Sequence, residues 1–281
     1  MKRKLFLSLM FIITIIIAGL SQDSYLVVSY NIWFDNPSNT ENPWSERKVG
    51  VIETLQKLNP DIFCVQEALI NQVNDLETGS YKHAGVGRDD GKYAGEFSAI
   101  FYDTNRFERL DASTFWLSDI PHKPGSKGWD AVCVRIATWI HLKDLHIGYS
   151  FFVFNTHFDH VGSKARLESA KLIKQKINEI AGEDPVILTG DFNCKKGSKP
   201  YEVIVSKSSG NILNDSRFAS EVTPTDPEYS FVGSDFNGEP GDIIDHIFVS
   251  SGLKVKQAFI DLNCNDKCPS DHLPVVVEIN Y

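Results

Sequence analysis

The chain has 281 residues, of which 42% are hydrophobic, and a formal net charge of −9 at pH 7. This length suits one large α/β domain, and no Gly/Ser/Pro linker, charge block or internal repeat divides it. The acidic balance argues against non-specific binding of long nucleic acids, since that affinity comes mostly from Lys and Arg on phosphates. It does not exclude nucleic-acid substrates, because a bound divalent metal supplies positive charge locally.

The first residues have the layout of a secretory signal: Met1–Lys4 is basic, Leu5–Leu20 is an apolar run, and small residues occur around Ala18–Ser21. The run is shorter than the roughly 20 residues of a membrane-spanning helix. We therefore predict a cleaved signal peptide over 1–21, with an uncleaved N-terminal anchor as the alternative. The mature form, 22–281, is predicted to be one catalytic domain without a stable membrane span, exported to the periplasm, the cell envelope or the medium.

Short β-branched or aromatic runs alternate with amphipathic helices along the mature chain, which favours α/β or α+β over all-β. Periodicity and the helix-stop and capping signals place these elements. In chain order they are a strand over 26–30, a helix over 49–58, strands over 62–65, 132–142 and 149–154, a helix N-capped by Ser163 with Gly182 past its end, and strands over 185–189, 243–249 and 273–279.

Five cysteines in an exported chain leave at least one unpaired. Cys64 lies in an apolar run and is predicted to be a core thiol. Cys264 and Cys268 flank a short polar loop, so a local disulfide and two free thiols are both open alternatives. A metal-binding pair is disfavoured, because no second Cys or His pair lies at zinc-finger spacing.

Polar residues mark the ends of several predicted strands. They are Asn31, Glu67, His157, Asp191, Asn193 and His272. Rigid strands that deliver several polar groups to one rim are how α/β scaffolds build sites. Carboxylates and amides suit Mg²⁺, which takes oxygen ligands and needs only one or two protein carboxylates. Hydrolysis of a phosphate ester needs such a cation, a group that orients water, and donors for the charge of the transition state.

Six motifs resemble those of the endonuclease/exonuclease/phosphatase (DNase I-like) superfamily, in that family's order. They are Ser-Tyr-Asn31-Ile, Gln66-Glu67, Asn155-Thr-His157, Gly190-Asp191-Phe-Asn193, Ile-Asp245-His-Ile-Phe-Val and Ser270-Asp271-His272-Leu-Pro-Val. Each motif alone is weak evidence, whereas six in order make coincidence improbable. The resemblance implies a two-sheet, four-layer α/β sandwich. The segment order also resembles the bacterial exported branch of metal-dependent hydrolases.

The resemblance implies a metal site first. Glu67 would be the principal ligand, Asn31 would assist it, and Asp271 would lie close to the metal. The implied cofactor is Mg²⁺, with Mn²⁺ as a substitute.

The same resemblance implies a catalytic set. Asp191 would orient or deprotonate the attacking water, and His157 and Asn193 would hold phosphate oxygens. His272 would donate to the phosphate or promote attack, with Asp245 bonded to its other ring nitrogen. A carboxylate partner fixes the tautomer of a histidine and stabilises its cation, which supports this pairing independently.

Further residues near the motifs are predicted to contact the substrate. They are Asn155, Asp159, His160, Arg166 and Trp129, with Asp159 and His160 as alternative ligands of a second metal. The loop from Trp116 to Asp130 is predicted to carry an aromatic platform near the site. Several cations form either a basic fringe or scattered solvated charges: Lys123, Lys127, Lys164, Arg166, Lys195 and Lys196.

These observations favour a phosphatase or phosphodiesterase acting on sugar, inositol, nucleotide or lipid head-group phosphates, and we expect a monomer. An extracellular nuclease of DNA or RNA is the alternative, and a catalytically silent binding module is the least favoured reading. The segment from Thr156 to His160 also resembles part of the His-x-His-x-Asp-His motif of metallo-β-lactamase-like hydrolases. Asn155 stands where that motif has its first histidine, so a dinuclear site of that type is disfavoured.

Overall fold

The computed structural model describes residues 24–38, 40–207, 210–225, 227–233, 241–262 and 268–280. The predicted signal peptide and Cys264 lie outside these residues. Within the described ranges, no helix combines the length and apolarity needed to cross a membrane.

Strands and helices alternate in the order expected of a mixed α/β chain. The strands are β1 (Ser24–Asn31), β2 (Ile62–Ala68), β3 (Tyr81–Ala84), β4 (Phe97–Asp103), β5 (Phe107–Trp116), β6 (Ile136–Asp144), β7 (Ser150–His157), β8 (Val186–Asp191), β9 (Leu213–Asp215), β10 (Asp245–Ser250), β11 (Lys254–Ile260) and β12 (Val275–Asn280). The helices are α1 (Trp44–Leu58), α2 (Ile70–Leu76), α3 (Ser163–Ala181), α4 (Lys199–Val205) and α5 (Ser216–Ala219).

The strands form two six-stranded mixed sheets, ordered β11-β12-β1-β2-β4-β3 and β5-β6-β7-β8-β10-β9. One parallel pair lies near the middle of each sheet, β1 with β2 and β7 with β8, and α1 and α3 provide the crossovers. The carboxyl ends of these four strands therefore lie at one rim. The antiparallel neighbours β4, β6 and β10 begin at that same rim.

Apolar residues fill the space between the sheets, including Val27, Ile62, Val153 and Ile187, all fully buried. Helices α1 and α2 cover the outer face of the first sheet, and α3 and α4 cover that of the second. These four layers confirm the predicted α/β sandwich. Cys64 is a buried free thiol in the inter-sheet layer, as predicted.

Two local predictions are wrong. The strand expected from Val132 begins only at Ile136, because residues 131–135 form a loop in which Val132 is 48% exposed. Ser163 is the first helical residue of α3 and not its N-cap. Asp130 takes the capping role instead: its carboxylate accepts hydrogen bonds from the backbone amides of the first helical turn.

Candidate active site

A β-bulge presents Glu67 at the rim. The pairing of β2 with β4 shifts register between Val65 and Ala68, and Glu67 has a left-handed backbone with φ 66°. Such a conformation at a residue with a side chain costs of order 1–3 kcal/mol and persists only where the surroundings enforce it. Gln66, fully buried, anchors the bulge by donating to Ser29 Oγ at 3.2 Å and to Asn155 Oδ1 at 2.7 Å.

Asn155 is a structural residue, so its predicted contact with substrate is wrong. The side chain is fully buried between the sheets. Its Nδ2 donates to the carbonyls of Val65 and Ala99, both at 2.9 Å, and its Oδ1 also accepts from Thr189 Oγ1 at 3.3 Å. Both amide hydrogens are thereby used. Asn155, from the second sheet, holds the backbone of the first sheet beside the bulge.

The predicted metal ligands lie together. Asn31 Nδ2 donates to Glu67 Oε1 at 3.1 Å, and the Phe34 amide donates to Glu67 Oε2 at 3.2 Å. Burial raises the pKa of Asp271, and the charge of Glu67 raises it further although His272 acts against it. A hard divalent cation fits between these two carboxylates, because its charge offsets both their mutual repulsion and the cost of burying them.

Asp191 joins the two halves of the site. Its Oδ2 accepts from Asn31 Nδ2 at 3.1 Å and lies 3.3 Å from His157 Nε2 and 3.8 Å from His272 Nε2. Burial and the neighbouring Asp245 raise the pKa of Asp191 to about 7, although the His272 cation and the Asn193 amide oppose the shift. A carboxylate with such a pKa is suited to accept a proton near neutral pH.

His272 is held between two carboxylates. Its Nδ1 lies 2.8 Å from Asp245 Oδ2, which also accepts from Ser230 Oγ at 2.6 Å. Burial alone would lower the pKa of His272, but the charges of Asp245, Asp191 and Asp271 raise it to about 10. The imidazole is therefore a cationic donor at neutral pH, which is the predicted arrangement of Asp245 and His272.

His157 and Asn193 line the same place from the second sheet. Burial and the charge of Arg135 keep the pKa of His157 well below its ordinary value, so its ring is neutral. Its Nδ1 is buried without a hydrogen-bond partner among the described residues, and its Nε2 lies 3.3 Å from Asp191 Oδ2. Asn193 donates its backbone amide to Asp191 Oδ1 at 2.9 Å and its Nδ2 to the Phe158 carbonyl at 3.0 Å.

An ion cluster beside His157 was missed from the sequence. Glu96 accepts from Arg88 and lies 3.8 Å from Arg135 Nη1. Burial raises the pKa of Glu96 to about 7, against the effect of Arg88 and with a contribution from Glu67. Glu96 and Arg135 immediately precede β4 and β6, which begin at the rim where their antiparallel neighbours end. Polar residues at strand starts were therefore the signal that would have found them.

Asp159 also has a structural role, and its predicted contact with substrate or a second metal stays a prediction. One carboxylate oxygen accepts from the amides of Val132 and Cys133, and the other accepts from those of Val161 and Gly162, at 2.7 to 3.1 Å. Only 1% of Asp159 is exposed. The residue ties the loop before β6 to the loop before α3.

His160 and Arg166 lie beside this tie. His160 is exposed, and its Nδ1 is 3.1 Å from Arg135 Nη2. Potential ligand atoms of Cys133, Asp159 and His160 lie within 4.8 Å of one another, but both Asp159 oxygens already accept backbone hydrogen bonds. Arg166 donates Nη1 to the Asp159 carbonyl at 2.8 Å. Substrate contact by His160 and Arg166 stays a prediction.

Trp116, the first residue of the loop predicted to carry an aromatic platform, does not contribute to one. Trp116 is buried and donates Nε1 to the Arg88 carbonyl at 2.6 Å. Trp129 is half-buried, and its contact with substrate stays a prediction. Phe231, which the sequence did not indicate, is 38% exposed, and its ring centroid lies 5.0 Å from that of His272. It is an aromatic surface next to the catalytic candidates.

The fold and this site match those of a family of endonucleases, exonucleases and phosphatases. The chain belongs to the Endonuclease/Exonuclease/phosphatase family, whose sequence profile matches residues 28–272. Enzymes of this family generally depend on a divalent metal.

Solved structures of bacterial proteins agree along almost the whole length. An endonuclease/exonuclease/phosphatase from Bacteroides vulgatus is 41% identical with a TM-score of 0.86, over 92% of this chain and 98% of that one. The mannosyl-6-phosphatase Bt3783 of Bacteroides thetaiotaomicron VPI-5482 is 38% identical with a TM-score of 0.85, over 92% and 100%.

Eukaryotic relatives match over a smaller share of their own length. Protein angel of Drosophila melanogaster is 30% identical in an alignment of 178 positions that covers 59% of this chain and 48% of that protein. Human Nocturnin is 26% identical in an alignment of 263 positions that covers 85% of this chain and 58% of that protein. The chain thus spans about half the length of the curated relatives it matches.

Proposed function

We propose that this protein is a Mg²⁺-dependent phosphatase of small phosphorylated molecules, with sugar phosphates as the first class to test. The observation that carries the proposal is the arrangement of His272 between Asp245 and Asp191, at 2.8 and 3.8 Å, beside the acidic pair Glu67 and Asp271. This arrangement offers a proton acceptor, a cationic donor and a cation site within one rim.

Each residue then has a role in hydrolysis of the ester. Asp191 takes a proton from the attacking water, whose oxygen forms the new bond to phosphorus as the bond to the leaving oxygen breaks. The leaving oxygen takes a proton from solvent water and departs as the alcohol. His272, oriented by Asp245, donates to a phosphate oxygen, and His157 and Asn193 hold others. A divalent cation at Glu67 and Asp271 supplies positive charge on the phosphate when it is bound.

Two facts support a small substrate. The relative named as a mannosyl-6-phosphatase is 38% identical and covers 92% of this chain. The formal net charge of −9 is unfavourable for gripping a long polyanion. Hydrolysis of DNA or RNA is the competing outcome of the test below.

The test is hydrolysis of nitrophenyl phosphate, bis-nitrophenyl phosphate, mannose 6-phosphate and plasmid DNA, with Mg²⁺ or with EDTA. Asp191→Asn should lower kcat by about 10² to 10⁴, the usual contribution of general acid–base groups. Asp111→Asn is the matched control, since Asp111 lies on β5 and is exposed. Turnover that survives EDTA, or that falls equally in both variants, would overturn the proposal. A preference for plasmid DNA would replace it by the nuclease.

We further propose that the protein acts after export, on the basis of the signal pattern over residues 1–21. Mass spectrometry of the protein recovered from the periplasm or medium of expressing bacteria tests this. A mature form beginning at Gln22 supports export, and an uncleaved protein confined to the cytoplasm contradicts it.

A further inference from the structure

A cavity of about 570 Å³ opens beside Asn193. Four cationic side chains line it together with one carboxylate, that of Asp242: Lys164, Arg166, Lys195 and Lys199. This surplus of positive charge occurs in a protein whose formal net charge is −9. Three of the cations belong to the group that the sequence left open between a basic fringe and scattered charges. The structure brings these three together.

Three segments around the reacting centre build this cavity. Lys164 and Arg166 lie in the first turns of α3, and Asn193 to Lys199 follow β8. Asp242 and Ile244 lead into β10, where Asp245 holds His272. Asn193 lines the cavity and donates its backbone amide to Asp191 Oδ1 at 2.9 Å, so the cavity adjoins the residue that would activate the water.

The cations are placed to receive an anion. Arg166 uses one donor, Nη1, to bind the Asp159 carbonyl at 2.8 Å. Because a guanidinium has five donors, this bond orients the side chain and still allows it to bind an anion. Lys195 lies 3.1 Å from Asp242, with side chains 64% and 58% exposed. Exposed ion pairs of this kind contribute about 0–1 kcal/mol, so an entering phosphate can displace Asp242 from Lys195 at little cost.

We propose that this cavity binds a second phosphate group, and that the preferred substrates are small molecules carrying two phosphates. The inference rests on the proposed function, because the first phosphate is the one hydrolysed at Asp191. The volume of about 570 Å³ lies in the range of pockets that hold a sugar or nucleotide-sized group. Charge-assisted hydrogen bonds from Lys and Arg to phosphate are the strong ones, which makes the second phosphate a determinant of specificity.

The test compares bisphosphates with the matching monophosphates: glucose 1,6-bisphosphate with glucose 6-phosphate, and adenosine 3′,5′-bisphosphate with adenosine 5′-phosphate. The variant is Lys164→Gln/Lys199→Gln. The control, Lys171→Gln/Lys176→Gln, removes two charges from α3, where neither residue lines the cavity. We expect kcat/KM of the unmodified enzyme to favour at least one bisphosphate by about tenfold or more. In the cavity variant the ratio of kcat/KM for the bisphosphate to that for the monophosphate should fall to about one, and in the control it should stay unchanged.

Calorimetric titration with the same bisphosphates in EDTA measures binding to the cavity in the absence of turnover. If no ester is hydrolysed but the cavity variant alone weakens binding about tenfold, the proposed function fails and the cavity assignment stands. If esters are hydrolysed with equal kcat/KM for the mono- and bisphosphates, or if both double variants change the ratio alike, the cavity assignment fails. A short oligonucleotide is assayed in the same way, and a kcat/KM for it that exceeds those of all the bisphosphates would overturn the assignment in favour of a nucleic-acid strand.

Discussion

Replacing Asn155 with alanine tests whether this residue serves the fold or the substrate. The substitution deletes four hydrogen bonds and leaves the carbonyls of Val65 and Ala99 and the Gln66 amide buried without this partner. A buried polar group without a partner costs about 1–3 kcal/mol. We therefore expect Asn155→Ala to lower the free energy of unfolding by about 3–5 kcal/mol, a large part of the 5–15 kcal/mol of a typical domain.

Urea unfolding followed by fluorescence, supported by calorimetry, measures this loss. Asn74→Ala is the control, because Asn74 is exposed on α2 and its truncation should change stability by less than about 0.5 kcal/mol. The folded fraction of Asn155→Ala should have the same KM as the unmodified enzyme. A stability change below about 1 kcal/mol together with a raised KM would refute the structural role and restore substrate contact.

Three further outcomes are expected. Asp245→Asn should lower the pKa of His272 from about 10, so the alkaline limb of kcat/KM moves to lower pH; an unmoved limb contradicts the pairing. Asp159→Ala should destabilise by about 2–4 kcal/mol. Because the Asp159 pKa is lowered from 3.8, that contribution is full at neutral pH and disappears as pH falls through the folded-state pKa, so unfolding curves of the two proteins must converge in acid. Glu67→Gln should weaken Mg²⁺ binding in calorimetry, and equal affinity in Glu67→Gln and the exposed Glu53→Gln would refute its role as a ligand.

Strand ends were the informative signal in the sequence. Asn31, His157 and Asp191 terminate strands that run toward one rim, and the structure brings them together there. Polar residues at strand ends predict a shared site because parallel strands present their carboxyl ends at the same edge of a sheet. This signal overlooked Glu96 and Arg135, since these residues precede strands that run away from the rim.

Proximity to a motif was a poor guide to substrate contact. Asn155 and His157 share one face of β7, since side chains alternate along a strand, but Asn155 lies about 6.6 Å deeper. That depth places it in the inter-sheet layer. Asp159 follows the strand closely, yet its partners are the amides of two loops. Contacts between segments far apart in the chain hold Asn155 and one of the two Asp159 carboxylate oxygens, and a local pattern carries no information about such contacts.

The site is divided between the two sheets. The first sheet carries Asn31 and Glu67, and His272 lies just before its strand β12. The second sheet carries Asp191 and Asp245. Polar contacts of the site cross the gap, such as Asn31 to Asp191 at 3.1 Å and His272 to Asp245 at 2.8 Å, and Asn155 joins the two sheets beside them. Apolar packing between sheets is not directional, so it sets their spacing more firmly than their sliding position. A slip of one sheet against the other by less than an ångström should therefore lower turnover, although spectroscopic probes of secondary structure would not detect it. On heating, activity should be lost before the strands melt.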